Sequence, residues 1–402
     1  MALPPLVEPA PELSAAERTR YSRHLLVPGI GTLGQRRLRN ARVLVVGAGG
    51  LGSPVLLYLA AAGVGTIGVV DDDDVEVSNL QRQVVHGTAD LGRPKVDSAA
   101  DAVRRADPSV SVVTHHVRID ASNALELLAA YDLVVDGTDT FATRYLVADA
   151  CALTGIPLVW GSVLRFDGQV SVFWSRPPAG HGYEAVTYRD VFARPPAPGE
   201  VPSCAEAGVL GAVCGAVGTA MAVEVVKLLL GIGEPLLGRV ATYDALTARW
   251  REVPVRPDPH AVAVTGLVDL DASCAVPAAS TPGPTADSPG AGGTSVTAIE
   301  LAALLAARER GEVDLDVVDV REQAEHDLVA VPGARLVPLA RVREDDRTGL
   351  DPARPLVLLC KSGARSALAL RLLHDRGFAD VRHLDGGILA WIDQVDPSLP
   401  RY

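Results

Sequence analysis

The chain is poor in cysteine, lysine and asparagine, and it has no excess of positive charge. Five cysteines stand among 402 residues, and none forms a C-x-x-C pair. That excludes a disulfide scaffold and the common zinc-ribbon pattern, and it fits a reducing compartment. Basic residues number 37 against 49 acidic ones, a net charge of −12. A nucleic-acid binder needs a basic face, so this balance argues against that class. The first twenty residues lack a basic start followed by an apolar stretch, so a secretory signal is not expected and a cytoplasmic location is. Residues 43–70 carry no charge, a run long enough for a membrane span. Seven glycines break it into strand, turn, helix and strand, so no membrane association is expected. The only lysines are Lys95, Lys227 and Lys361, and the only asparagines Asn40, Asn79 and Asn123. Where arginine has taken most basic positions, a retained lysine points to a place that needs a compact ammonium.

What the chain does have is core. Hydrophobic residues make up 48% and charged residues 21%, enough for folded domains, and the length suits two or three of them. Short apolar runs at residues 42–46, 66–70, 110–117, 133–136, 158–161 and 169–174 read as strands. Helical patterns stand at 13–26, 51–62, 95–106 and 143–154. The alternation predicts an α/β fold, a Rossmann-like and mostly parallel sheet with covered faces. Residues 175–202 hold six prolines and read as a crossover loop; a long apolar helix pattern follows at 205–230. Eighteen of the twenty residues 275–294 are Ala, Pro, Ser, Thr or Gly, which predicts a flexible linker of roughly 25 Å mean reach. The expected domains are therefore 12–274 and, after the linker, a smaller α/β unit at 295–402.

Two motifs carry chemistry. Gly47-Ala48-Gly49-Gly50-Leu51-Gly52 follows a strand and opens a helix. Glycines there let backbone approach a phosphate, whose charge the helix N-terminus stabilises. Asp71 ends the next strand, where an acid binds ribose hydroxyls. A nicotinamide dehydrogenase is the first hypothesis. The stretch Ser78-Asn79-Leu80-Gln81-Arg82-Gln83, then Lys95, and Asp136-Gly137-Thr138-Asp139 argue instead for a triphosphate with Mg²⁺, which needs cations and a carboxylate. The second motif, Cys360-Lys361-Ser362-Gly363-Ala364-Arg365-Ser366, joins a strand to a helix. It has the layout of an anion-binding loop with a reactive thiolate at a helix N-terminus. Its C-x4-R spacing is shorter than the C-x5-R of cysteine phosphatases.

With Arg20-Tyr21-Ser22-Arg23, Gly92-Arg93-Pro94-Lys95, Arg144 and Ser203-Cys204-Ala205-Glu206 added to the first set, residues 12–274 resemble the MoeB/ThiF group of the ubiquitin-activating superfamily. The shorter loop, with Asp319-Val320-Arg321-Glu322, Val331-Pro332-Gly333-Ala334, Gly386-Gly387 and Trp391, resembles rhodanese-like sulfurtransferases. The fusion as a whole resembles the MoeZ-type adenylyltransferase/sulfurtransferases. That resemblance implies ATP-dependent adenylation of the terminal carboxylate of a small ubiquitin-like sulfur carrier ending in Gly-Gly, then persulfide transfer to give a thiocarboxylate for molybdenum-cofactor and related sulfur pathways. Thiosulfate or a cysteine-desulfurase persulfide would donate the sulfur.

Under this reading Gly47, Gly49, Gly50, Ser78, Asn79 and Thr140 contact the nucleotide, and Asp71 fixes the ribose. Arg82 and Lys95 neutralise its phosphates, and Asp139 holds Mg²⁺. Arg23 is implied to reach a partner subunit's site, hence a homodimer. Cys204 is implied to form a thioester or acyl-disulfide, while Cys360 and Arg365 serve sulfur transfer. Two departures stand out. Many relatives carry two C-x-x-C zinc pairs where this chain has Thr187-Tyr188-Arg189-Asp190 and the 260–265 stretch, so no structural zinc is expected. Thr140 stands where asparagine is usual. The alternatives are a ubiquitin-like activation through a Cys204 thioester beside a non-catalytic rhodanese module, the nicotinamide enzyme, and a scaffold.

Overall fold

A computed structural model describes residues 3–196, 208–261, 263–269, 294–344 and 348–402. Contacts divide the chain into two compact units, one of Met1–Pro195 with Ser203–Ala278 and one holding Ala279–Tyr402.

The first unit is built on eight strands: β1 Arg42–Val46, β2 Thr66–Val70, β3 Ser111–His115, β4 Leu133–Asp136, β5 Leu158–Leu164, β6 Asp167–Phe173, β7 Arg239–Asp244 and β8 Arg249–Pro254. They lie in the order β3-β2-β1-β4-β5-β6-β7-β8. The five from β3 to β5 are parallel, and β6 to β8 extend the sheet in antiparallel fashion. The apolar run of β1 is buried along Val43 to Val46, as a central parallel strand with both faces covered must be. The order reverses between β1 and β4. In open α/β sheets that switch point, at the carboxyl ends of the strands, is where ligands bind.

The α/β class and the mostly parallel sheet agree with the sequence reading; several boundaries do not. The expected 13–26 helix is two short ones, Ala15–Arg20 and Ser22–Leu25. Ser14 caps the first in a full capping box. The break falls at Tyr21, which turns inward and donates its hydroxyl to Asp107 at 2.7 Å. The 110–117 strand shortens to β3 at the sheet edge. Strands β5 and β6 run longer than expected because they pair with each other across a tight hairpin. Helices Gly31–Asn40 and Ala124–Ala129, and the hairpin β7–β8, are additions. The long helix begins at Gly211 and ends at Leu230, where Gly231 supplies a left-handed C-cap at φ 66°. It is long and apolar enough to cross a membrane, yet it packs on helix Gly52–Ala61 and on β5 and β6. It is thus a core helix of this unit.

The second unit holds β9 Ser295–Val296, β10 Asp316–Asp319, β11 Arg335–Leu336, β12 Leu356–Leu359 and β13 Val381–Leu384, in the order β11-β10-β12-β13-β9. Every pairing is parallel. Two apolar clusters fill it, one centred on Leu301, Leu384 and Trp391, the other on Leu358, Ala369 and Leu373.

Candidate functional site

At the switch point of the first sheet lies a cavity of about 440 Å³. Its floor is the glycine turn after β1. Gly47 takes φ +91°, which L side chains rarely adopt, and a Cβ on Gly52 would stand 1.9 Å from the Gly47 carbonyl. Helix Gly52–Ala61 starts beside this turn with no side-chain cap, its Ser53 amide donating to the Gly49 carbonyl at 2.9 Å.

Asp71 and Lys95 form one wall. The Asp71 carboxylate accepts from the Ala48 amide at 2.8 Å and from the Asp73 amide at 3.0 Å. Burial pushes its pKa up, against the pull of Lys95. The Lys95 ammonium is nearly fully buried and lies 2.7 Å from Asp73 and 4.0 Å from Asp71. Asn79, Arg82 and Gln83 line the same space. Arg82 is fixed by its 3.0 Å hydrogen bond to the Ser78 carbonyl. The side chain of Gln83 is buried, and its Oε1 has no partner among the described residues. A buried unpaired acceptor is costly in the empty protein, so this oxygen is a natural ligand contact.

The opposite wall comes from the turn after β4. Asp136 is fully buried. It accepts from the Thr138 amide at 2.9 Å and the Thr138 hydroxyl at 2.7 Å, which shapes the turn that presents Asp139 and Thr140. Both line the cavity and both are exposed.

Several expected residues are placed differently. Ser78 does not line the cavity; it serves through the carbonyl that orients Arg82. Thr140 is the N-cap of helix Phe141–Thr154, its hydroxyl accepting from the Thr143 amide at 3.3 Å. Arg144, which also lines the cavity, is buried and gives two hydrogen bonds to the Thr138 carbonyl, at 2.9 and 3.1 Å. Arg23 stands exposed on helix Ser22–Leu25 and is absent from the lining of this chain's own cavity. Cys204 and the linker through residue 293 lie outside the described residues.

His86 was not legible as a site residue. Its Nε2 lies 3.0 Å from the Ala48 carbonyl and its Nδ1 2.8 Å from the Ser98 hydroxyl. A carbonyl only accepts, so Nε2 carries the proton in this arrangement. Burial lowers its pKa, and the neutral ring ties the glycine turn to helix Lys95–Ala106. The one signal for it was its position three residues after Gln83.

In the second unit, Cys360 follows β12 directly and is buried. Its Sγ accepts from the Gly363 amide at 3.1 Å and lies 3.5 Å from the Ser366 hydroxyl, which donates to the Gly363 carbonyl at 2.9 Å. Gly363 takes φ +100° and caps helix Ala364–Asp375, so the loop curls around the sulfur. From beneath, the amides of Ile388 and Leu389 donate to the carbonyls of Cys360 and Lys361 at 2.8 and 3.2 Å. That approach demands glycine at 387, where a Cβ would meet those two carbonyls at 2.5 and 2.4 Å.

Arg365 makes a bidentate pair with Glu325, both contacts at 2.7 Å. It therefore braces the loop against helix Gln323–Leu328. Burial works to raise the Glu325 pKa, but the hydrogen bonds and charge of Arg365 outweigh it and hold the carboxyl below its ordinary range. Glu325 and Tyr402 were not singled out from sequence, because they are remote from the Cys360 motif in the chain.

Comparison with known proteins follows the same division. The ThiF family model matches residues 21–263, and the rhodanese-like domain model matches 300–394. A probable adenylyltransferase/sulfurtransferase, MoeZ of Mycobacterium tuberculosis, is 50% identical over 100% of this chain and 99% of its own. A sulfur carrier protein adenylyltransferase of Thermus thermophilus is 52% identical over 64% of this chain and 97% of its own. Among solved structures, E. coli MccB bound to MccA-N7isoASN aligns with a TM-score of 0.52 at 22% identity. The match covers 60% of this chain and 74% of that one and shows the fold of the first unit.

Proposed function

This chain belongs to the ThiF family and carries a rhodanese-like domain in its second unit, and from that premise we propose a two-step reaction. The first unit adenylates the terminal carboxylate of a ubiquitin-like sulfur carrier ending in Gly-Gly, using ATP. The second delivers a persulfide sulfur to that activated carboxylate, giving a thiocarboxylate and AMP. The observation that carries the reading is the pairing of two sites on one chain: a glycine-floored cavity walled by Asp71, Lys95 and Arg82, and a cysteine curled inside an amide loop.

A chain-terminal carboxylate has a pKa of about 3.5 and is already ionised at neutral pH. The obstacle is the approach of one anion to another, so preorganised positive charge is the main catalytic contribution. Lys95 and Arg82 supply it toward the phosphates, and Asp71 orients the ribose. Asp139 would hold Mg²⁺, which adds charge neutralisation. In the second unit the Cys360 thiolate attacks the outer sulfur of thiosulfate, or of a desulfurase persulfide, and releases sulfite or a thiolate. The resulting persulfide attacks the carrier adenylate and expels AMP. Attack by Cys204 on the inner sulfur of that acyl-disulfide then frees the thiocarboxylate. It leaves a Cys204–Cys360 disulfide for an external thiol to reduce.

The same reading assigns Arg23 to a partner subunit's cavity in a homodimer and places the protein in the cytoplasm, serving molybdenum-cofactor and related sulfur pathways. It assigns no structural zinc. Asp190 accepts from the Asp258 amide at 2.8 Å, and Arg189 pairs with Asp149 at 2.7 Å. These bonds tie the 187–190 segment to its neighbours without a metal. Carrier-dependent exchange of pyrophosphate into ATP tests the first step. Exchange that persists without any carrier or Mg²⁺ would refute it.

A further inference from the structure

His86 stands behind the glycine turn and has no part in the steps above. Its Nε2 donates to the Ala48 carbonyl at 3.0 Å, and its Nδ1 lies 2.8 Å from the Ser98 hydroxyl. Burial holds its pKa below the ordinary range; Lys95 adds to that pull, while the Ala48 carbonyl and Asp90 oppose it. The ring is therefore neutral at physiological pH, with its one proton given to Ala48. The Ala48 amide donates to Asp71 at 2.8 Å, and the Gly47 amide before it to the Val70 carbonyl at 2.8 Å. Both ends of Ala48 are thus tied to the protein. Neither Ala48 nor His86 lines the cavity, whereas Gly49 does.

A trans peptide is planar, and its carbonyl and N–H point in opposite directions. The Ala48 carbonyl and the Gly49 N–H share one such plane. A carbonyl drawn back to His86 therefore turns the Gly49 N–H toward the cavity. Among the described residues that N–H has no hydrogen-bond partner. We propose that His86 is a positioning residue, locking the Ala48–Gly49 peptide so that the Gly49 N–H faces a nucleotide phosphate. The proposal rests on reading this cavity as the ATP site. Glycine at 49 leaves the peptide easy to rotate, so an anchor outside the turn is what keeps the donor aimed. The Ser98 hydroxyl holds the ring from helix Lys95–Ala106, so the same anchor sets the turn against the helix that begins with Lys95.

The test measures binding of ATP and of adenosine to the full chain by titration calorimetry. His86→Asn keeps a group near the Nδ1 position for Ser98 and loses the donor to Ala48. His86→Gln places an amide N–H where Nε2 stood. His86→Asn is expected to raise the Kd for ATP about tenfold, the loss of one hydrogen bond to a charged group. The Kd for adenosine, which has no phosphate, stays unchanged. His86→Gln keeps most of the ATP affinity. Ser98→Ala loosens the ring with the histidine in place and shifts the ATP Kd alone, by less. Hydrogen exchange adds a readout that needs no ligand: the Ala48 amide exchanges faster in His86→Asn than in wild type or His86→Gln. An ATP affinity unchanged in either His86→Asn or Ser98→Ala, or ATP and adenosine weakened alike, overturns the proposal. A wild-type protein that binds no ATP refutes the nucleotide reading instead, and the exchange rate of Ala48 still decides whether His86 holds the turn.

Discussion

The two sites hold their charges by different balances of backbone and ion pair. Around the first cavity, Lys95 pairs with Asp73, while backbone fixes most of the other polar groups: Asp71 by two amides, Arg82 and Arg144 by carbonyls. The Gln83 oxygen is left over, and Asp71 is held at a raised pKa by burial. Around Cys360 the charges are matched within the protein, Arg365 with Glu325 and Arg321 with Asp319. A site for a large, highly charged nucleotide keeps capacity unspent and loses stability when empty. A site whose reagent is one sulfur atom spends its charges on the rigidity of the loop.

That contrast implies that the sites fail independently. Cys360→Ala is expected to abolish sulfur transfer from thiosulfate to cyanide, with carrier-dependent ATP–pyrophosphate exchange unchanged. Loss of both activities would show that the units are not chemically separate. Lys95→Ala should lower the exchange rate by about 10²–10³, the usual loss for one preorganised charge, while cyanolysis proceeds normally.

Stability sharpens the comparison further. Glu325→Gln removes the bidentate carboxylate from Arg365, a loss of about 1.5–3 kcal/mol. It should lower the second unit's thermal transition and spare the first. Because the folded-state pKa of Glu325 is depressed, its contribution is complete above the ordinary value of about 4.3 and fades as pH falls below it. Asp71 has the opposite sign: its pKa is raised, so stability declines as pH climbs from the ordinary aspartate value through the raised one. Replacing each group in turn, by Glu325→Gln and Asp71→Asn, and following the transition by calorimetry across pH 3 to 6 would resolve the two opposite slopes. The smallest effect expected is that of Thr140→Ala. It removes a helix N-cap, about 1 kcal/mol. Thr140→Asn retains the cap and should restore the transition temperature, so cap and nucleotide contact separate cleanly.

Much of the first site could be read from residue order, because its parts sit at strand ends fixed by a regular alternation. The rare lysines pointed to Lys95 in the cavity and Lys361 beside Cys360. The third, Lys227, instead pairs with Glu224 and donates to the Glu234 carbonyl at 2.8 Å, so rarity alone does not mark a site. What stayed hidden depends on tertiary approach. His86 reaches Ala48 across 38 residues of sequence, and Tyr402 reaches Glu325 across 77. The antiparallel strands β7 and β8 were missed because β8 is exposed along its length and shows no apolar alternation.

In the proposed reaction both units act on one carboxylate. The direct measurement is the intact mass of a Gly-Gly-ended carrier incubated with this protein, Mg-ATP and thiosulfate. The expected result is replacement of one carrier oxygen by sulfur, dependent on ATP and lost in Cys360→Ala. A carrier that is adenylated but never gains sulfur, from thiosulfate or from a desulfurase persulfide, would contradict it.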